Sequence, residues 1–132
     1  GDPETEVVLP RLKNDLVELF IATATGKLNE VTVNIDERSA ATIVAVSGGY
    51  PGEYVKGKEI HGLDIEPIEG SLVFHSGTTL ENEKIVTNGG RVMAITAFGE
   101  DIKEAAEVGQ YMLEQLYFDD MYFRGDIGYE FK

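Results

Sequence analysis

The sequence has no cysteine, only two histidines, and eleven Lys and Arg against twenty-four Asp and Glu. Without cysteine there is no disulfide framework and no thiolate metal site, which is compatible with a cytoplasmic setting. His61 and His75 have no neighbouring ligands at zinc spacing. A formal charge of −13 argues against nucleic acid and anionic membranes as partners, while leaving room for a local anion site. No apolar run approaches the ~18 residues that a membrane helix needs. The opening Gly1-Asp2-Pro3-Glu4 is polar and acidic, unlike a signal peptide. Walker and dinucleotide-binding glycine motifs are absent. Ser47 and Ser76 lack the context of a nucleophile elbow.

What remains is an ordinary globular composition, 42% hydrophobic and 27% charged over 132 residues. A chain of this size can bury roughly two-thirds of its unfolded surface as one domain. Asn14 reads as the cap of a helix over 15–25, with Asp15 in its first turn and Gly26 beyond its end. Leu16, Leu19, Phe20 and Thr23 share one face of that helix. Residues 31–35 alternate as a short strand, and the apolar run 40–46 reads as a buried central strand. A Gly-rich loop follows, with nothing regular until about residue 68. Strand 72–75 and a turn at 81–83 lead to two apolar runs, 84–87 and 91–97, around Asn88-Gly89. Asn-Gly suits a type I′ hairpin turn, so these runs should pair with each other. Asp101 and Glu104 resemble a capping box for a helix over 102–117, whose Ile102, Ala105, Ala106, Gly109, Leu113 and Leu116 line one face. The expected class is α+β, a mainly antiparallel sheet of about four strands (40–46, 72–75, 84–87 and 91–97) with two or three helices.

The candidate chemistry lies in loops. Gly89 and Gly90 precede Arg91, so exposed backbone N–H groups would stand beside a fixed positive charge, a plausible anion cradle. The plain alternative is a hairpin with a solvated arginine. The acidic residues 100, 101, 104 and 107 read as a solvated helix face.

Five stretches, in order along nearly the whole chain, resemble the phosphoribosylamine–glycine ligase (glycinamide ribonucleotide synthetase) family. They are Gly1-Asp2-Pro3-Glu4-Thr5; Ser47-Gly48-Gly49-Tyr50-Pro51-Gly52 with Tyr54 and Lys56-Gly57; Phe74-His75-Ser76-Gly77-Thr78; Thr87-Asn88-Gly89-Gly90-Arg91-Val92; and Tyr122-Phe123-Arg124-Gly125-Asp126-Ile127-Gly128. The third carries Ser76 where the family has Ala. The fifth has an extra residue after Tyr122 and Gly125 in place of Lys. The first lacks the Arg and the aromatic or Leu that precede it in the family.

The resemblance implies the C-terminal portion of an ATP-grasp ligase that joins glycine to 5-phosphoribosylamine, using ATP and Mg2+, in purine biosynthesis. It implies a division into 1–28, the end of the ATP-grasp region with a connecting helix, and 29–132, a C-terminal α+β domain. The metal ligands are expected upstream of Gly1 and no catalytic residue is expected within this stretch, so the isolated chain should be inactive. Candidate substrate-binding residues are Asp2, Glu4, Gly48, Gly49, Tyr50, Gly89, Gly90 and Arg91. For Asp2 and Glu4 the alternative is a role as acids at a helix N-terminus. Arg124 and Asp126 read as an ion pair pinning the tail. Expected partners are glycine, phosphoribosylamine and the upstream domains of the same enzyme. The alternative from another class is a non-catalytic ligand-binding or interaction module with the same fold.

Overall fold

A computed structural model describes residues 1 and 3–131. Two helices come first, α1 (Glu4–Val8) and α2 (Leu16–Ala24), each followed by a short 3₁₀ turn, at Leu9–Arg11 and Leu28–Glu30. Five strands follow: β1 (Ser39–Ser47), β2 (Ser71–His75), β3 (Thr78–Glu81), β4 (Lys84–Thr87) and β5 (Arg91–Gly99). Helix α3 (Ile102–Glu114), a two-residue strand β6 (Met121–Tyr122) and a last 3₁₀ turn at Tyr129–Phe131 complete the chain. The main sheet is antiparallel in the order β2–β5–β1–β6, and β3 pairs with β4 in a separate ribbon.

β1 alternates, as a strand with two different faces must. Ile43 and Ala45 are buried on the side that α3 covers, in one cluster with Met93, Ile95, Met112, Leu113, Leu116 and Phe118. Thr42, Val44 and Val46 are half-buried on the opposite face. There α1 is fastened by a hydroxyl relay: Thr42 and Thr96 share a 2.6 Å hydrogen bond, and Thr96 Oγ1 donates to the Glu6 carbonyl at 2.6 Å. The site described below occupies that second face. Helix α3 starts as its sequence predicts, with Asp101 accepting from Glu104 N–H at 2.8 Å. Glu104 in turn accepts from Glu100 N–H at 2.6 Å, one residue before the cap itself.

Three local expectations are corrected. The Asn88-Gly89 pair does not turn a hairpin, and β4 and β5 lie in different sheets. The tight turn sits at Asn82 and Glu83, with φ of 49° and 64°, the pair of positive values a two-residue hairpin demands. β4 is held instead by β3 and by residues 57–60, through Gly57 N–H to Thr87 O (2.7 Å), Thr87 N–H to Lys58 O (2.8 Å) and Ile60 N–H to Ile85 O (2.9 Å). Residues 31–35 make no strand, only a single antiparallel bridge between Leu12 and Ile35. Asp15, not Asn14, caps α2, accepting from Val17 and Glu18 N–H at 2.8 and 3.2 Å. Asn14 reaches across instead, donating to Thr32 O and accepting from Asn34 N–H. The side chain that caps is the one whose carboxylate already faces the orphan N–H groups of the first turn.

Candidate functional site: a glycine-lined corner beside Arg91

Three glycine-bearing loops meet where β1 ends and β5 begins. The buried Ser47 holds them: its N–H donates to Gly90 O at 2.8 Å and its hydroxyl to Gly89 O at 2.9 Å. Asn88 N–H donates to Gly77 O at 2.7 Å, which brings in the loop after β2. Neither Gly89 nor Gly90 has a positive φ, so their use here is close approach. A Cβ on Gly90 would overlap the Tyr50 ring, and one on Gly77 would overlap Gly89 and the Arg91 carbonyl. Gly49, at φ +96°, makes the turn that delivers Tyr50, whose peptide to Pro51 is cis. Gly48 packs against Asp120, which also takes an ion pair from Lys58 Nζ at 2.7 Å.

This corner opens onto a groove of about 360 Å³ on the sheet face opposite α3. Pro3, Thr42, Tyr50, Arg91, Tyr122 and Arg124 are among its walls. Arg91 enters it because it opens β5 opposite Val46, at a register shift after Ala45. Arg124 enters because β6 pairs with Val46 and Ser47 and so leads the tail back across the same edge. The Arg124 guanidinium is fixed side-on by Asp126, Nε to Oδ1 at 2.8 Å and Nη2 to Oδ2 at 2.9 Å. That hydrogen bond and charge raise its pKa further above its already high value. The groove thus combines two guanidinium groups with aromatic and aliphatic walls. It suits a small anion carried on a less polar body.

The structure distributes the predicted residues unevenly. Tyr50, Gly89, Gly90 and Arg91 come together, and Gly48 and Gly49 shape the turn behind Tyr50. Glu4 is exposed on α1 and borders the neighbouring groove with Val7, Ala40 and Ile102, not the one holding Arg91. Asp2 lies outside the described residues. Arg124 and Tyr122 were missing from the sequence-based site. A two-residue strand has no periodicity to read, so pattern gave no sign that the tail would fold back there, although both residues lie in the fifth family-like stretch. Among the described residues, no group of three or more His, Asp and Glu side chains could hold a metal ion.

Comparison with known proteins decides the family. The family model described as phosphoribosylglycinamide synthetase, C domain, matches residues 40–130. The chain belongs to this family. It is similar to the phosphoribosylamine–glycine ligase of Escherichia coli (strain K12), 45% identical over 130 residues, covering 98% of this chain and 30% of that protein. The ligase of Caldanaerobacter subterraneus subsp. tengcongensis is 45% identical over 127 residues, 96% of this chain and 30% of its own. A crystal structure of phosphoribosylamine–glycine ligase from Thermotoga maritima superposes with a TM-score of 0.71 at 31% identity, covering 96% of this chain and 30% of that one. The chain thus spans about 30% of the length of these synthetase relatives. The α+β synthetase C-domain fold is shown by the same matches. No helix among its described residues is long and apolar enough to cross a membrane.

Proposed function

We propose that this chain is the C-terminal part of an ATP-dependent ligase that joins glycine to 5-phosphoribosylamine, giving glycinamide ribonucleotide, ADP and phosphate in cytoplasmic purine biosynthesis. In this reading residues 1–28 close the ATP-grasp region and 29–132 form the C-terminal domain. ATP and Mg2+ are handled upstream, and the isolated chain is inactive. Its contribution is a wall of the phosphoribosylamine site. The observation that carries this is Arg91, held at the head of β5 and projecting into the groove beside Tyr50 and Arg124. The Gly89-Gly90 backbone behind it is fixed by Ser47. A guanidinium on such a rigid base loses little freedom on gripping two phosphate oxygens, which an ammonium cannot do.

Steady-state kinetics on the full-length enzyme test the reading. Arg91→Ala should raise the KM for phosphoribosylamine and leave those for ATP and glycine nearly unchanged. The lost charge-assisted hydrogen bonds predict ~1.5–3 kcal/mol, roughly ten- to hundred-fold in kcat/KM. Arg91→Lys should not restore it. An unchanged KM for phosphoribosylamine in a well-folded Arg91→Ala enzyme sinks the phosphate role.

A further inference from the structure

Helix α2 is apolar on nearly every side: Leu16, Val17, Leu19, Phe20, Ile21, Ala22 and Ala24 surround a single charge, Glu18. A helix of that composition is ordinarily buried all round. Here Val17 and Phe20 are each 63% exposed and Ile21 60%, and Ala22 is the one buried residue of the helix. The rest of the N-terminal segment behaves alike. Val8, Leu9, Val33 and Ile35 are exposed, and they line a second apolar groove of about 370 Å³. A surface this rich in large uncovered side chains marks a contact with something else.

Where the matches begin points to the occupant. The C-domain family starts at residue 40. The full-length relatives match 98% of the chain, so they continue through α2. The first 39 residues therefore go with the relatives' chains but stand outside the C-domain family. The 30% coverage leaves the larger part of each relative unmatched and able to supply a covering surface. We infer that α2 is a docking helix whose Val17, Phe20 and Ile21 face seats against an apolar surface of the preceding part of the same polypeptide. This rests on the reading of the chain as part of a longer ligase and assigns the interface that reading requires.

The measurement compares two proteins as each exists: the 132-residue chain, and a full-length ligase carrying it as the C-terminal part. Hydrogen exchange at the α2 amides should be at least ten-fold slower in the full-length protein. Phe20→Glu should leave the melting temperature of the 132-residue chain unchanged, since the ring is already in water there. In the full-length protein the same change should lower the melting temperature by several degrees and restore fast exchange at α2. Phe20→Ala, which introduces no charge, should lower it in the same direction by less. Equal exchange of α2 in both proteins overturns the inference. So does a full-length dimer that Phe20→Glu dissolves, which would make a second copy the occupant. Neither readout involves turnover, so failure of the Arg91 prediction and failure of this one are separate results.

Discussion

Helices α2 and α3 invert the usual relation between hydrophobicity and burial. α3 alternates charged with apolar positions, yet Ala105, Gly109, Met112 and Leu113 are buried against β1 and β5. α2 is the more apolar, yet its Val17, Phe20 and Ile21 are exposed and Leu16 and Leu19 only half-buried. The difference is geometric. A single apolar stripe needs one surface, and the sheet supplies it, whereas a helix apolar all round needs neighbours on several sides. Of the two, α3 has found its complement among the described residues and α2 has not. Composition thus says that a helix will be covered, and only the fold says by what.

The largest test of that contrast is a pair of truncations in the 132-residue chain. Leu113→Ala should destabilise by ~2–5 kcal/mol, because a fully buried side chain is removed from a packed cluster. Phe20→Ala should stay within about 0.5 kcal/mol. Urea denaturation of both variants measures the two together, and a comparable loss from Phe20→Ala breaks the contrast. The caps give a smaller version. Asp101→Ala should cost about 1 kcal/mol of global stability through its lost bond to Glu104 N–H. Asp15→Ala should mainly speed amide exchange within α2, since a helix with few packed contacts opens locally before the whole chain does.

The smallest expected effect is in the pH dependence. The Arg38 side chain, hydrogen-bonded to Asp36 at 3.0 and 2.9 Å, holds that carboxyl well below the usual carboxylate range, and Lys13 adds its charge at 3.9 Å. A depressed folded pKa means the stabilisation is fully present above the unfolded value of about 4 and is lost as pH falls through the lower folded value. Asp36 sits in the N-terminal segment, where its carbonyl also accepts from Arg11. Acid below about pH 4 should therefore loosen residues 11–38 ahead of the sheet. Exchange measured along a pH series checks this, and Asp36→Asn should remove that extra acid sensitivity of the segment.

Much of the frame was legible from pattern. Apolar runs located β1 and β2 to within a residue, whereas the alternating residues 31–35 made no strand. Asp101 and Glu104 marked the start of α3, although it ends at Glu114 rather than Tyr117. The misplaced hairpin has a specific cause. A glycine permits either a left-handed backbone or a close approach, and the sequence does not say which. At Gly89 and Gly90 it is approach, to Gly77 and Tyr50. The positive φ values fell to Asn82 and Glu83, and only Asn82 has a side chain that favours them. The lining of the groove was legible loop by loop, through Tyr50 and Arg91. Its closure by Arg124 was not, since that depends on the pairing of β6 with Val46 and Ser47.

The Ser47 clasp also governs when the groove beside Arg91 can exist at all. It joins the end of β1 to Gly89 and Gly90, while Asn88 reaches Gly77 and Gly48 rests on Asp120. Contacts as far apart in sequence as Ser47–Gly89 and Gly48–Asp120 are among the slowest to form, because each must first overcome the entropy of closing a long loop. The groove therefore cannot exist in a half-folded chain. It should form together with native β1–β5 pairing, in one cooperative step, so that any ligand binding there would also stabilise the finished fold by mass action.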